Sequence, residues 1–445
     1  MTDPRPRRIA IVGAGPSGLF AAQSLFGQTE LPVTVDLIDR LPVPYGLLRY
    51  GVAPDHTSIK QVAATLARTF ERTDGVRLLG DVHVGRDVSR EELLAAYDAV
   101  VYAAGAQEDA QLGVPGEDLP GSRAARQFVE WYSGHPDAPA QELSGASAAA
   151  VIGVGNVAVD VARVLAKTAE ALSVTDMPQA VLDELDAHHI DDIYVIARRG
   201  PQHAAFTTVE LRELVHTPGV QVTVSEDSFA DIPDNLERRP KANVEILRQA
   251  AATVVENPRR RLHFMFWRKP VAVEGKSAVE GLELERTRLD ENGKVVGTGE
   301  REKLPVQLVF RSIGYRSVPL PGVPFDDWSA VVRNVEGRVV DEAGVVQARE
   351  YVVGWLKRGP TGVIGTNKSD AAQTVRHLVA DLLAAPDPGA PATDLVQVLT
   401  DRGTPPTTLA DWWSIDAAEI ALGESKGRTR TKIETWDALR GLCRR

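Results

Sequence analysis

Gly13-Ala14-Gly15-Pro16-Ser17-Gly18 lies between an apolar run at residues 8–12 and an alanine-rich stretch at 19–26. Val33-Thr34-Val35-Asp36-Leu37-Ile38-Asp39 follows. A short apolar strand, a tight glycine turn, a helix and a second strand ending in an acid make a βαβ unit. In such a unit the first glycine allows the turn, the second lets backbone approach a pyrophosphate, and the third lets helix pack on strand. The helix then offers free N–H groups and its positive dipole end to the phosphate. Asp39 stands 21 residues after Gly18, where a carboxylate accepts hydrogen bonds from ribose hydroxyls. A glycine-rich structural turn is the alternative; the strand, helix and spaced acid together weigh against it.

The pattern recurs. Ala149-Ala150-Val151-Ile152 leads into Gly153-x-Gly155-Asn156-Val157-Ala158, with alanine in the third small position, and a helix follows. The next strand, residues 192–197, ends in Arg198-Arg199. An acid there would suit the 2′-hydroxyl of NAD, whereas arginine suits the 2′-phosphate of NADP. Two guanidiniums give charge-assisted, bidentate bonds to a phosphate dianion, so NADP is expected. A solvated basic pair at a strand end is the alternative. Arg198 comes 45 residues after Gly153, longer than the usual spacing; the extra length sits in a polar, helical insertion at 168–189. Two fingerprints predict an α/β chain with two Rossmann-like dinucleotide-binding domains. Further strands are expected at 100–106, 306–312 and 351–355. A glycine-rich loop at 359–367 opens a helix at 368–383, and a helical, polar tail follows the break at 386–391.

The chain has 445 residues, which predicts two or three domains. No apolar run is long enough for a transmembrane helix, and the N-terminus has no signal-peptide apolar region. Arginine outnumbers lysine 39 to 11, as in GC-rich bacterial genomes, so the expected location is the cytoplasm. Cys443 is the one cysteine. It rules out an intrachain disulfide, a Cys-x-x-Cys redox pair and a cysteine-held iron–sulfur cluster, and no metal site is expected. A redox role would therefore rest on organic cofactors. The net charge of -11 argues against a general nucleic-acid binder.

The chain resembles the adrenodoxin-type ferredoxin–NADP(+) reductase family over nearly its whole length. Pro16-Ser17 between the first glycines resembles FAD-binding domains. The other motifs are Pro44-Tyr45-Gly46-Leu47-Leu48-Arg49-Tyr50-Gly51-Val52-Ala53-Pro54-Asp55-His56, Gly155-Asn156-Val157-Ala158-x-Asp160, Arg198-Arg199-Gly200-Pro201, Glu210-Leu211-Arg212-Glu213, Ser312-Ile313-Gly314-Tyr315, and Trp355-x-x-Arg358-Gly359-Pro360-x-Gly362-x-Ile364-Gly365-Thr366-Asn367. The resemblance implies a discontinuous FAD domain, 1–106 plus 320–445, with an NADP domain, 107–319, inserted into it. It implies that Gly13, Gly15, Gly18, Asp39, Leu47, Val84, Trp355, Gly362, Val363 and Ile364 meet FAD. Gly155, Asn156, Val157, Ala158, Arg198, Arg199 and Glu210 would bind NADP. His56 and Glu213 would lie by the nicotinamide, orienting its carboxamide or shuttling protons; a structural loop histidine and a solvated glutamate are the plainer alternatives. The implied reaction passes hydride from NADPH to flavin N5, then single electrons to a separate iron–sulfur ferredoxin. The protein is expected to be a monomer.

Between residues 238 and 269 stand Arg238, Arg239, Lys241, Arg248, Arg259, Arg260, Arg261, Arg268 and Lys269, against Glu245 and Glu256, a net +7. An acidic ferredoxin is expected to dock there. Phe264, Phe266 and Trp267 read as a core strand rather than RNA-stacking aromatics. Two other readings stay open: another two-dinucleotide NADPH-dependent flavoenzyme such as a monooxygenase, and a non-catalytic nucleotide or redox sensor. A disulfide reductase is excluded by the lone cysteine.

Overall fold

The computed structural model describes residues 5–56, 62–72, 75–362, 364–387 and 389–443. The opening strand Arg7–Val12 forms the middle of a seven-stranded sheet. It pairs in parallel with Val33–Ile38 on one side and Ala99–Tyr102 on the other. Val76–Leu79 extends the first side, also in parallel. The strand next to Ala99–Tyr102 is Val346–Val352, brought back from far along the chain. Two short antiparallel strands, Arg338–Val340 and Asn334–Val335, close that edge. Continuous apolar strands such as these are covered on both faces by the crossover elements of a parallel sheet. Val12, Ile38, Tyr102 and Val352 stand in register, so Gly13, Asp39, Ala103 and Val353 emerge together at the carboxyl edge. Ligands of open α/β sheets bind at this edge, where the strand order reverses.

A second, six-stranded sheet uses only residues between 122 and 311 and is parallel throughout. Its order is Ser122–Ala124, Leu308–Arg311, Ala148–Ile152, Asp192–Ile196, Arg260–Met265 and Val220–Val224. Helices cover one face. The other face is covered by a feature that the sequence pattern does not predict: an antiparallel ribbon of Arg268–Glu274, Gly281–Leu289 and Val295–Leu304. Its Val273, Leu282, Leu284 and Leu304 pack on Ala148, Ala150, Ile152 and Val309 of the sheet. The insertion at 168–189 holds two helices, Ala169–Leu172 and Gln179–Ala187. The two segments that join the sheets pair with each other, Glu108–Asp109 against Tyr315–Arg316. The motif Ser312-Ile313-Gly314-Tyr315 thus runs into a strand of this connector.

The tail is less polar in place than in sequence. Its helices Leu395–Asp401, Leu409–Glu424 and Trp436–Gly441 bury Leu395, Leu399, Trp412, Ile415 and Leu439. Glu419 is fully buried and ion-paired with Arg49 of the 44–56 motif, with an Arg49 Nη1 to Glu419 Oε2 distance of 3.1 Å. No helix among the described residues is long and apolar enough to cross a membrane.

Candidate functional site

The two glycine turns divide their labour in the same way. Gly13 has φ +117°, and a Cβ there would strike the Ala103 carbonyl oxygen; one on Gly18 would strike the Gly13 oxygen. These glycines are demanded by the protein itself. A Cβ on Gly15 would lie 3.8 Å from the nearest atom, the Gly46 Cα. In the second turn, Gly153 has φ +131° and is jammed against Ser312, while a Cβ on Gly155 would meet nothing within 4 Å. The middle glycines therefore leave open cradles that only a ligand would fill. Both helices that start there, Pro16–Gly27 and Asn156–Ala166, have a glycine N-cap and no side-chain cap. Their first N–H groups remain available to an anion, so the residues fit a dinucleotide at each turn.

Distant segments converge on the first turn. The Gly354 position abuts the Ser17 hydroxyl, and Gly46, just before Leu47, lies against Gly15. Asp39 accepts from Ala14 N at 2.7 Å and from Leu41 N at 2.9 Å. The carboxylate thus already holds the turn, and only its remaining lone pairs are left for ribose. Trp355 stacks on Tyr315 with centroids 5.5 Å apart. Gly362 is exposed with φ +84° and Ile364 packs against the first core. Val363 lies outside the described residues. The helix Thr366–Ala384 also begins without a side-chain cap. Val84 is buried against Val12, Ile38 and Tyr102, among the side chains that cover one face of the first sheet.

At the second turn, Asn156 uses its side-chain oxygen to accept from Thr207 N at 2.8 Å, tying the turn to the segment after Arg199. Val157 is half-buried and Ala158 fully buried in the second core. Arg198 and Arg199 are both exposed, and neither guanidinium has a hydrogen bond or ion pair among the described residues. Glu210 is turned the other way, inward.

Between the two turns lies a buried charge cluster. The loop carrying Asp55 and His56 leaves the first unit and meets two helices of the second, Asn156–Ala166 and Thr208–Val215. His56 Nε2 lies 2.7 Å from Asp160 Oδ1 and 2.8 Å from Glu210 Oε2; its Nδ1 lies 3.4 Å from Glu213. Arg163, with a fully buried side chain, bonds Asp55 at 2.9 Å and Asp160 at 2.8 Å and reaches Glu210 at 3.4 Å. Lys167 adds a 2.7 Å bond to Asp55. Burial opposes a charge on His56, but the Asp160 and Glu210 carboxylates outweigh it and hold its pKa up to about 9. The charged ring donates Nε2–H between those carboxylates. Arg163 Nη2, 2.7 Å from the same nitrogen, donates to it only when the ring is neutral there. Asp55 is held well below the ordinary carboxylate range: burial opposes this, and Arg163 and Lys167 prevail. His56, Glu210 and Glu213 bring ligand atoms within 4.8 Å, but the Arg163 guanidinium already sits beside His56 and Glu210 as their cation.

Asp55, Asp160, Arg163 and Lys167 were not singled out as site residues from sequence. A signal was present: Asp160 and Arg163 are two charges in the otherwise apolar helix core Asn156-Val157-Ala158-Val159-Asp160-Val161-Ala162-Arg163-Val164-Leu165-Ala166. Charged groups on a buried helix face require partners.

Residues 7–198 match the family model described as pyridine nucleotide-disulphide oxidoreductase. The chain is 44% identical over 443 residues to the NADPH-ferredoxin reductase FprA of Mycobacterium leprae, covering 96% of each. It is 38% identical to the mitochondrial NADPH:adrenodoxin oxidoreductase of Arabidopsis thaliana, covering 98% of this chain and 95% of that one. The chain belongs to the adrenodoxin reductase family. The solved structure of Mycobacterium tuberculosis FprA in complex with NADPH superposes with a TM-score of 0.91 at 44% identity, over 98% of this chain and 99% of that one.

Against the fold of this adrenodoxin reductase family member, the basic run at 238–269 needs correction, because contiguous charges do not form one surface. Arg260 is buried, bonding the Ile190 carbonyl and lying 3.2 Å from His188. Arg259 bonds the Ala166 carbonyl at 2.7 Å, and Arg261 chelates Asp192 with two 2.6 Å bonds. Arg268 pairs with Glu302, and Lys269 with Glu285. Among the described residues, the exposed cations of the run without an ion pair are Arg238, Arg239, Lys241 and Arg248 on the helix Arg238–Ala252, and Arg259, which is tied to the Ala166 carbonyl. Phe264 and Phe266 are buried as expected, whereas Trp267 lies in a bend beyond the strand, half-buried.

Proposed function

We propose that the protein is an FAD-dependent NADPH–ferredoxin oxidoreductase. The carrying observation is a pair of open, uncapped glycine cradles on two sheets, with an unpaired arginine pair at the second alone. FAD is assigned to the first turn, held by Gly13, Gly15, Gly18 and Asp39, with Leu47, Val84, Trp355, Gly362, Val363 and Ile364 around it. NADPH is assigned to Gly155, Asn156, Val157 and Ala158, with Arg198 and Arg199 on its 2′-phosphate. The corresponding domains are 1–106 with 320–445, and 107–319. When bound, the flavin supplies the conversion of a two-electron hydride donor into a source of single electrons.

The chain itself binds, orients and excludes water. Backbone N–H groups at two helix ends neutralise the pyrophosphates. His56 and Glu213 sit where the two units meet and orient the carboxamide end of the coenzyme. Glu210, buried against Arg163 and His56, acts by holding His56 rather than by reaching solvent. The proposal includes an acidic ferredoxin on a separate chain, docking at Arg238, Arg239, Lys241 and Arg248, and a cytoplasmic monomer. Electrostatic docking of this kind acts mainly on the association rate and weakens with salt. Purified protein is expected to be yellow and to be bleached by NADPH far better than by NADH. It is then expected to reduce an added ferredoxin. A colourless protein that takes up no FAD would refute the reading.

A further inference from the structure

Trp267 has φ +56°, a left-handed conformation that costs a bulky residue free energy and that persists only where surroundings impose it. The surroundings are the arginine pair. Three successive carbonyls, those of Ala197, Arg198 and Arg199, are held by the ribbon and by Trp267 just before it. Arg268 N donates to Ala197 at 2.9 Å, Thr287 Oγ1 to Arg198 at 2.9 Å, and Trp267 N to Arg199 at 3.4 Å. Thr287 N in turn donates to the Trp267 carbonyl at 2.9 Å. The indole lies directly on Gly200: a Cβ there would come within 2.6 Å of its Cζ2 and would also strike Gln202 Oε1. Gly200 itself has φ -70° and ψ 167°, a backbone any residue adopts, so it is glycine for want of space. Gln202 is buried and its Oε1 has no hydrogen-bond partner. The His203 ring stands at 83° to the indole with centroids 6.4 Å apart.

We propose that Trp267 is a positioning residue for coenzyme selection: wedged against Gly200, it fixes the backbone from which Arg198 and Arg199 reach the 2′-phosphate. The proposal rests on the assignment of that phosphate to the arginine pair. Long side chains with no protein partner are precise only if their backbone is rigid, and the ribbon, with Trp267 just before it, supplies that rigidity at Ala197, Arg198 and Arg199. The ribbon is thereby more than a cover for the sheet.

The test is calorimetric binding of two probes, adenosine 2′,5′-bisphosphate and 5′-AMP, to the flavin-loaded protein. Trp267→Gly relieves the backbone conformation and removes the indole; Gly200→Ala keeps the indole but displaces it. Both are expected to weaken the bisphosphate about tenfold, the worth of one charge-assisted hydrogen bond, and to leave 5′-AMP unchanged. The KM for NADPH should rise with kcat retained, and Trp267→Phe should restore most of the affinity. Unchanged bisphosphate binding in both variants would overturn the proposal. So would equal weakening of both probes, which would make the indole a base-stacking platform instead. An Arg198→Ala, Arg199→Ala double variant separates the two levels. If it binds bisphosphate as the parent does, the 2′-phosphate assignment itself fails. If it loses binding while the Trp267 and Gly200 variants do not, only the positioning role fails.

Discussion

The two glycine turns share a Gly-x-Gly start and a similar backbone, yet the protein treats them differently. Around the first, segments from the whole chain crowd in: Ala103 against Gly13, Gly46 against Gly15, Gly354 against Ser17, and Asp39 bonded into the turn at Ala14. The second has an open middle glycine and two exposed, unpaired arginines at its far end. Enclosure by many elements favours slow release, and an open, charged mouth favours fast capture and exchange. Under the proposed function, one motif serves as a resident site or an exchanging site according to what the rest of the chain packs around it.

The contrast depends on the two units holding a fixed relation, and Arg163 is the most buried of the charged side chains that join them, beside Arg40–Asp137, Trp436–Asp137 and Lys432–Asp176. Arg163→Leu would leave Asp55, Asp160 and Glu210 buried without their shared cation. Breaking a buried pair from one side costs about 3–5 kcal/mol, so denaturant unfolding should show a loss of that order. A loss under about 1 kcal/mol would mean that those other contacts hold the units together without Arg163. Next in size is the arginine pair. Replacing Arg198 and Arg199 with alanine should raise the KM for NADPH roughly 100-fold, as expected for two charge-assisted hydrogen bonds, and leave NADH almost unaffected. An equal rise for both coenzymes would erase the electrostatic half of the contrast.

The glycines sharpen it further. Gly13→Ala meets a carbonyl and a left-handed backbone, so it should destabilise the fold outright. Gly15→Ala and Gly155→Ala meet no protein atom closer than 3.8 Å, so unfolding should shift by no more than about 1 kcal/mol. Their effects should appear in ligands instead: lower FAD content for Gly15→Ala, and about a tenfold higher KM for NADPH with normal FAD content for Gly155→Ala. Destabilisation by Gly155→Ala would show that its cradle is structural.

Much of this was legible because it is local. The glycine turns and their flanking strands are short-range patterns and lie where their spacing indicated, and the arginine pair ends the expected strand although an insertion lengthens its spacing. What failed was direction. The run at 238–269 counts +7 along the chain, but helix, edge and strand aim its side chains apart, and Arg260 ends up buried. The ribbon was missed because Val295–Leu304 is exposed along most of its length and carries charges where an apolar alternation would mark a strand. Arg163 and Asp160 were legible as charges on an apolar helix, but their partners Asp55 and Glu210 are distant in sequence, and only the fold brings them together.

The effect that depends on pH concerns His56, which lies at the junction of the two units and belongs to neither turn. Its pKa is raised in the fold from 6.5 to about 9 by Asp160 and Glu210, against burial and against the nearby Arg163. A raised pKa means that the folded protein holds the proton more tightly than the unfolded chain does. The resulting stabilisation is fully present below pH 6.5 and disappears as pH rises through about 9. His56→Gln keeps a polar side chain but no titrating charge, so it should flatten this part of the pH profile. The measurement is Tm against pH for the parent and the variant: the parent's advantage should be largest on the acid side and close as pH approaches 9. A constant difference across that window would mean that His56 is neutral in the fold. Arg163, rather than the imidazolium, would then be the donor that Nε2 meets, and the junction would carry one cation fewer beside its four carboxylates.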